Sequence, residues 1–174
     1  IILTKSIPAK KYHIKTGEPI VDARRKCPEL VIVPPNYTLY SHASRAMIEI
    51  LEEYTDTIEK YSIDEAFLDV TPTRTNREHP VAVARRIQQR VEQLGVTCSV
   101  GVGTSKTVAK IASDMDKPRG LTVVYPGTER TFLDPLPVRS MSGIGAAAER
   151  RLKSHGVETL GPLVCEGPAR LERL

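Results

Sequence analysis

Two short apolar segments on either side of an acidic pair constrain the fold of this chain most strongly. Residues 57–62 and 65–70 have the length and composition of β-strands, and the second alternates with a period of two. Asp64 and Glu65 lie at their junction, in the string YSIDEAFLDV. Because the two segments adjoin, we expect an antiparallel hairpin that carries both carboxylates at its turn.

Amphipathic helices are predicted around this hairpin. After Asn36, apolar residues recur at three- and four-residue steps as far as Tyr54, Pro80 begins a second helix, and Thr104 or Ser105 caps a third. A short helix is predicted at residues 19–26. Further strands are predicted at residues 1–3, 30–33, 96–102 and 121–124. The order predicts an α+β fold with one sheet face covered by helices.

The character of the sequence changes after Tyr125. Pro126, Gly127, Pro135 and Pro137 mark a linker, and residues 138–174 have the pattern of a small helical unit. We therefore predict a domain boundary near residue 125.

Composition excludes several classes of protein and singles out none. The net charge is +4 and the pI is about 9.0, which permits a polyanionic partner without requiring one. The three cysteines are far apart and form no C-x-x-C pair, which disfavours a disulfide framework or a zinc site. No apolar run approaches about 18 residues and no signal peptide pattern is present, so we expect a cytoplasmic protein without a membrane partner.

The acidic pair is the strongest candidate for chemistry. Neighbouring side chains of a regular strand point to opposite faces, so Asp64 and Glu65 can converge only at a strand end or tight turn. Carboxylate oxygens together with substrate phosphates are what Mg²⁺ prefers. An acidic turn that is merely exposed to water is the alternative.

The residues that flank the pair resemble a known family. Ser62 to Asp69 is similar to the S-I-D-E-A-[FY]-L-D signature of the Y-family (translesion, UmuC/DinB-like) DNA polymerases. Further similar motifs follow in the family's order: Lys15-Thr16-Gly17, Cys27-Pro28, Val33-Pro34-Pro35, Gly101 to Lys106, Val108 to Ser113, Asp116 to Gly120, and Gly143-Ile144-Gly145.

The resemblance implies an architecture and a reaction. It implies partial fingers at 1–35, a ferredoxin-like palm at 36–124, and a small all-α helix-hairpin-helix thumb at 125–174. The reaction would be translesion DNA synthesis, in which a primer 3′-hydroxyl attacks the α-phosphate of a deoxynucleoside triphosphate, assisted by two Mg²⁺ ions. A third catalytic carboxylate and a steric gate would precede Ile1, and a little finger would follow Leu174. We therefore expect this chain alone to have negligible polymerase activity.

The resemblance also implies roles for individual residues. Asp64 would hold the catalytic metal, with Glu65 beside it. The nucleotide would be bound by Lys117, Lys10 and Thr4. The family often has Tyr-x-Ala-Arg where this chain has Ile7-Pro8-Ala9-Lys10, and a lysine lacks the planar fork of an arginine.

Primer–template DNA is the other partner that the resemblance implies. Gly143 and Gly145 would expose backbone N–H groups to a DNA phosphate at the start of a helix. Lys106 and Lys110 share a helix face and are further candidates for contact with DNA phosphates or for support of the active site, although a solvated face explains them nearly as well. A sliding clamp would be reached through the missing C-terminal part.

Two other functions fit parts of the same sequence. A non-catalytic, polymerase-like DNA-binding repair protein is compatible with Ile7 and Lys10, but the retained Asp64 and Glu65 count against it. A nucleotide cyclase can share the palm topology, whereas the helix-hairpin-helix and the SIDEAFLD string disfavour that class.

Overall fold

The computed structural model of this chain describes residues 1–74 and 77–165. The described residues form two compact units, Ile1–Tyr37 and a second unit that begins at Thr38.

The first unit contains two short helices, α1 (Ile7–Lys10) and α2 (Ile20–Lys26). The Ser6 side chain caps α1 by accepting a hydrogen bond from the Ala9 N–H. A small core of Ile2, Ile14, Ala23 and Cys27 holds the unit together. The predicted helix at 19–26 is thus confirmed.

The predicted strands at 1–3 and 30–33 are wrong. Ile2 exchanges backbone hydrogen bonds with Gly17 and Glu18, but no regular ladder forms around it. Val31 and Val33 are 81% and 77% exposed. A β-branched run has strand propensity, but without a paired neighbour it has no ladder to join.

The second unit begins with the predicted long helix, α3 (Tyr37–Glu52), and the predicted hairpin. Strands β1 (Ile58–Lys60) and β2 (Ala66–Leu68) pair antiparallel, with Ile58 opposite Leu68. Helix α4 (Pro80–Glu92) follows, and it packs with α3 against the hairpin. The core of this layer is formed by Ile48, Leu51, Val83, Ile87 and Val91.

A parallel strand pair connected by a helix completes the α+β part. Strand β3 (Val100–Val102) leads into α5 (Lys106–Met115), and β4 (Leu121–Val123) returns beside β3. Ser105, one of the two predicted caps, accepts a hydrogen bond from the Val108 N–H. Among the described residues the four strands form two separate pairs, β1–β2 and β3–β4. The α+β class is confirmed.

The remaining described elements are helical, as predicted. Helices α6 (Glu129–Leu133), α7 (Ala146–Ser154) and α8 (Leu160–Cys165) are accompanied by a 3₁₀ turn at Val138–Ser140. Val138, Leu152 and Val157 form the core of this part. The predicted helical unit extends to residue 174, and its residues 166–174 lie outside the described range. Across the described ranges, no helix combines the length and apolar character needed to cross a membrane.

Candidate active site

The turn of the β1–β2 hairpin presents the acidic pair. The N–H groups of Tyr61 and Ser62 both donate to the Glu65 carbonyl, at 3.0 and 3.1 Å. The Ser62 hydroxyl donates to Asp64 Oδ1 at 2.7 Å. Asp64 therefore lies in the turn, outside the alternation of the strand, and is exposed, whereas Glu65 is half-buried immediately before β2.

Glu65 is the first member of a chain of ion pairs that runs along α5. Lys110 Nζ lies 2.5 Å from Glu65 Oε1 and 3.5 Å from Asp114 Oδ2. The other oxygen of Asp114, Oδ1, lies 2.5 Å from Lys117 Nζ. We call Glu65, Lys110, Asp114 and Lys117 the acid–lysine network. It connects the hairpin turn to the residues that follow α5.

Asp114 is not among the predicted site residues, although its spacing in the sequence provides a signal. Asp114 lies four residues after Lys110 and three before Lys117. Residues three and four apart share a helix face, so an acid between two candidate lysines can pair with both.

The two central members of the acid–lysine network have shifted pKa values. Burial is the largest single influence on Lys110 and lowers its pKa, but the hydrogen bond to Glu65 and the attraction of Asp114 together raise it above its usual value. For Asp114, burial acts to raise the pKa, and the hydrogen bond and charge of Lys117 with the charge of Lys110 outweigh it, so that the pKa is lowered.

Replacing Lys117 with methionine is expected to raise the pKa of Asp114 toward its ordinary value of 3.8. A folded-state pKa below the unfolded one contributes stability above the unfolded pKa, and this contribution is lost as the pH falls through the folded value. Titration of the Asp114 carboxyl carbon by NMR measures the change. The pKa of Asp69, which is lowered by hydrogen bonds from Thr71, serves as the control and should not move. An unchanged Asp114 pKa would contradict the pairing.

The backbone that carries Lys117 is fixed by side chains from α4. Gln88 Nε2 donates to the carbonyls of Gly120 at 2.9 Å and Cys98 at 3.2 Å. Arg119 pairs with Glu92 at 3.1 Å. Sequence analysis also missed Gln88, because its partners are carbonyl groups, which any residue type could supply.

The loop that follows α5 ends at Gly120, a position where only glycine fits. A Cβ there would lie 1.6 Å from the Asp116 carbonyl oxygen and 2.6 Å from the Asp116 Cβ. The loop that presents Lys117 is therefore held both by hydrogen bonds and by this close approach.

The two lysines predicted to contact DNA both pair with acids of the hairpin. Lys106 Nζ lies 2.7 Å from Glu59 Oε2 and 5.9 Å from the ring centre of Phe67, and it remains exposed. Lys110, by contrast, is only 19% exposed and contacts Glu65. Of the two, only Lys106 offers much of its surface to solvent.

The other predicted residues lie on separate parts of the molecule. Thr4 and Lys10 are exposed in the first unit, with Lys10 at the end of α1. Gly143 has a φ of 93°, which favours glycine, and Gly145 is the N-cap of α7 without a side-chain hydrogen bond to the helix. The first N–H groups of α7 thus point out from an exposed turn.

The acidic pair has the donor chemistry that Mg²⁺ requires. Within the described residues, hydrogen bonds and ion pairs reach Asp64 Oδ1 and Glu65 Oε1, so each carboxylate retains a second oxygen for a cation. No group of three or more acidic, histidine or cysteine side chains that could hold a metal occurs in this same part of the chain. Mg²⁺ commonly takes one or two carboxylates and completes its shell with substrate phosphates and water, so the pair fits the ion.

A cleft of about 450 Å³ lies elsewhere, between α3 and α4, and does not include the acidic pair. Its arginines are already engaged, Arg90 with Glu53 and Arg86 with Glu78. The turn and the acid–lysine network, rather than this cleft, therefore form the candidate site.

Comparison with known proteins extends over almost the whole sequence. A model described as the impB/mucB/samB family matches residues 1–114, and one described as the IMS family HHH motif matches residues 126–157. "DNA polymerase IV 1" of Halalkalibacterium halodurans is 40% identical, with 99% of this chain and 42% of that protein covered. "DNA polymerase IV" of Moorella thermoacetica is 44% identical, with 94% of this chain and 41% of that protein covered. The chain thus spans less than half the length of these curated relatives.

Solved structures also match almost the whole length of this chain. DinB from Sulfolobus solfataricus is 34% identical with a TM-score of 0.86, and the match covers 95% of this chain and 49% of that one. An insertion ternary complex of Dbh DNA polymerase is also 34% identical, with a TM-score of 0.88 over 97% of this chain and 49% of that one. The resemblance that the SIDEAFLD string predicted is therefore confirmed, and the chain belongs to the impB/mucB/samB family of Y-family DNA polymerases.

Proposed function

We propose that this chain is the catalytic part of a longer DNA-directed DNA polymerase that synthesises DNA past lesions. The observation that carries the proposal is the carboxylate pair at the hairpin turn, in which Asp64 is exposed and Glu65 is half-buried beside Lys110, which partly neutralises it. Relatives over the same residues are named DNA polymerase IV. The substrates would be primer–template DNA and deoxynucleoside triphosphates, in keeping with a similar structure described as an insertion ternary complex.

Asp64 and Glu65 would hold the divalent cations. Bound there, two Mg²⁺ ions would stabilise the attacking and leaving oxygens of the phosphoryl transfer. The third carboxylate of the family pattern would come from outside this chain. Lys110 would keep Glu65 in place and offset the repulsion between the two acids, since it is half-buried and hydrogen-bonded to Glu65.

Lys117 would contact the triphosphate. Its ammonium is a compact point charge suited to phosphate oxygens, and its backbone is held by Gln88 through the carbonyls of Arg119 and Gly120. Thr4 and Lys10 of the first unit would add nucleotide contacts. The absence of a guanidinium at Lys10 predicts a less directional hold on the phosphates than an arginine gives.

The helices after residue 125 would bind the DNA backbone. The turn at Gly143 and Gly145 opens onto the positive end of α7, where uncapped N–H groups suit a phosphate. Lys106 would add a charge from α5. Such contacts are independent of base sequence and weaken as salt rises.

The architecture proposed for the whole protein follows the family. The two strand pairs would belong to one ferredoxin-like palm at 36–124, between fingers at 1–35 and a thumb from 125. We also propose a cytoplasmic location, and a sliding clamp as a partner that binds outside this chain.

Primer extension by the full-length protein tests the proposal. We expect Mg²⁺-dependent incorporation opposite both an undamaged template base and an abasic site, because Asp64 and Glu65, the acids proposed for the transfer, are both present at the hairpin turn. The 174-residue chain alone should bind DNA weakly and extend no primer. Tight DNA binding by the full-length protein without any extension would favour the non-catalytic repair protein instead.

A further inference from the structure

Asp114 lies between two lysines, and each oxygen of its carboxylate has a different partner. Oδ2 lies 3.5 Å from Lys110 Nζ, and Oδ1 lies 2.5 Å from Lys117 Nζ. Lys110 is also held by Glu65 at 2.5 Å, and its side chain is less exposed than those of Asp114 and Lys117. Lys110 therefore holds one oxygen of the Asp114 carboxylate in place, while the other oxygen forms an ion pair with Lys117.

The pair between Asp114 and Lys117 is exposed enough to exchange. The Asp114 side chain is 48% exposed and the Lys117 side chain 53%. Exposed ion pairs of this kind are weak, since water and salt compete for both charges. A phosphate oxygen is also anionic and similar in size to a carboxylate oxygen, so it can replace Asp114 as the partner of Lys117.

The exchange requires movement of side chains only. Gln88 holds the Arg119 and Gly120 carbonyls, and the Gly120 N–H donates to Ser99 Oγ at 3.2 Å. The backbone next to Lys117 is thus anchored whichever anion its ammonium contacts.

We propose that Asp114 is a positioning residue that acts through Lys117. Its carboxylate takes the place of a phosphate while the nucleotide is absent and so sets the affinity for the incoming triphosphate. The inference rests on the proposed function, in that Lys117 contacts the triphosphate. The effect acts through Lys117 alone: a phosphate must displace the Asp114 carboxylate before it can pair with that lysine, and this competition weakens nucleotide binding.

Single-turnover incorporation of one nucleotide by the full-length polymerase tests the proposal, because it separates the nucleotide Kd from the rate constant of incorporation. Asp114→Asn removes the charge and keeps the shape. We expect it to lower the Kd about two- to fivefold, the range set by an exposed ion pair. Lys117→Met is expected to raise the Kd, and in the Lys117→Met background Asp114→Asn should no longer change it.

Asp22→Asn is the matched control. Asp22 is 46% exposed and forms an ion pair with Arg25 at 3.1 Å with the same three-residue spacing, in the first unit. The Asp22→Asn variant should leave the nucleotide Kd unchanged. Asp114→Glu keeps the charge and should keep the wild-type Kd, which distinguishes loss of charge from a folding defect.

Three results would overturn the inference, and they differ from one another. If Lys117→Met raises the Kd but Asp114→Asn leaves it unchanged or raises it, Asp114 does not compete for the lysine. An equal effect of Asp114→Asn with and without Lys117 would show a general charge effect instead. If Lys117→Met itself leaves the Kd unchanged, the proposed role of Lys117 fails, and the inference fails with it.

Discussion

The substitutions Asp64→Asn and Glu65→Gln are each expected to lower the rate constant of nucleotide incorporation by about three orders of magnitude in the full-length polymerase. Each change removes the negative charge of a proposed cation ligand and keeps the size of the side chain. Metal ions in such sites contribute several kcal/mol to the transition state, and about 4 kcal/mol corresponds to this loss. Single-turnover primer extension at saturating nucleotide measures it.

Two exposed carboxylates outside the hairpin turn are suitable controls for that experiment. Asp56 lies just before β1, Glu52 lies at the end of α3, and both side chains are exposed. The control variants are Asp56→Asn and Glu52→Gln. These variants should retain the wild-type rate constant. DNA binding should persist in the Asp64 and Glu65 variants, because their contribution is to the reaction. A wild-type rate in Asp64→Asn would refute the assignment of the hairpin turn as the active site.

A second large effect is expected where β3 and α5 meet. A Cβ at Gly101 would lie 2.0 Å from the Ala109 carbonyl oxygen and 2.5 Å from the Ser113 nitrogen. These are backbone atoms of a helix, so they cannot yield without moving the helix. Gly101→Ala is therefore expected to destabilise the fold by about 3 kcal/mol, at the upper end of typical overpacking costs. Urea unfolding, with hydrogen exchange of the β3 and α5 amides as the local readout, measures the loss.

Gly103 provides the comparison that identifies the cause. A Cβ there would lie 2.7 Å from Val108 Cγ1, which is a side-chain atom. Gly103→Ala should therefore be partly rescued by Val108→Ala, whereas no truncation of a side chain should rescue Gly101→Ala. Equal stability of the wild type and Gly101→Ala would show that α5 does not pack this closely on β3.

The elements that could be predicted are those whose signal is local. The hairpin, α3, α4 and α5 each follow from a repeat of two or of three to four residues within one contiguous segment. Their caps are also local, such as Ser105 before α5. Strands at 1–3 and 30–33 were predicted from the same kind of apolar run, and they fail because strand formation depends on a partner elsewhere in the chain.

The residues of the candidate site also divide into those with a local sequence signal and those that depend on distant partners. Asp64 and Glu65 could be found because the turn and both its flanking strands lie within a dozen residues of sequence. The partner of Glu65 could not be identified in this way, since Lys110 is 45 residues away and its sequence pattern allowed contact with DNA, support of the active site or a solvated position. The hydrogen bond from Gln88 to the Gly120 carbonyl joins residues that are 32 positions apart, and no sequence pattern predicts it.

The family, the α+β class, the helical end and the acidic turn could all be predicted from the amino-acid sequence, because each depends on residues that are neighbours along the chain. The pairing of Asp114 with Lys110 and Lys117 is local as well, since it follows from helical spacing. Long-range contacts depended on the packing of the chain, which brought α5 against the hairpin so that Lys110 faces Glu65. The physical reason is that ion pairing depends on distance in space, and packing of the core sets that distance.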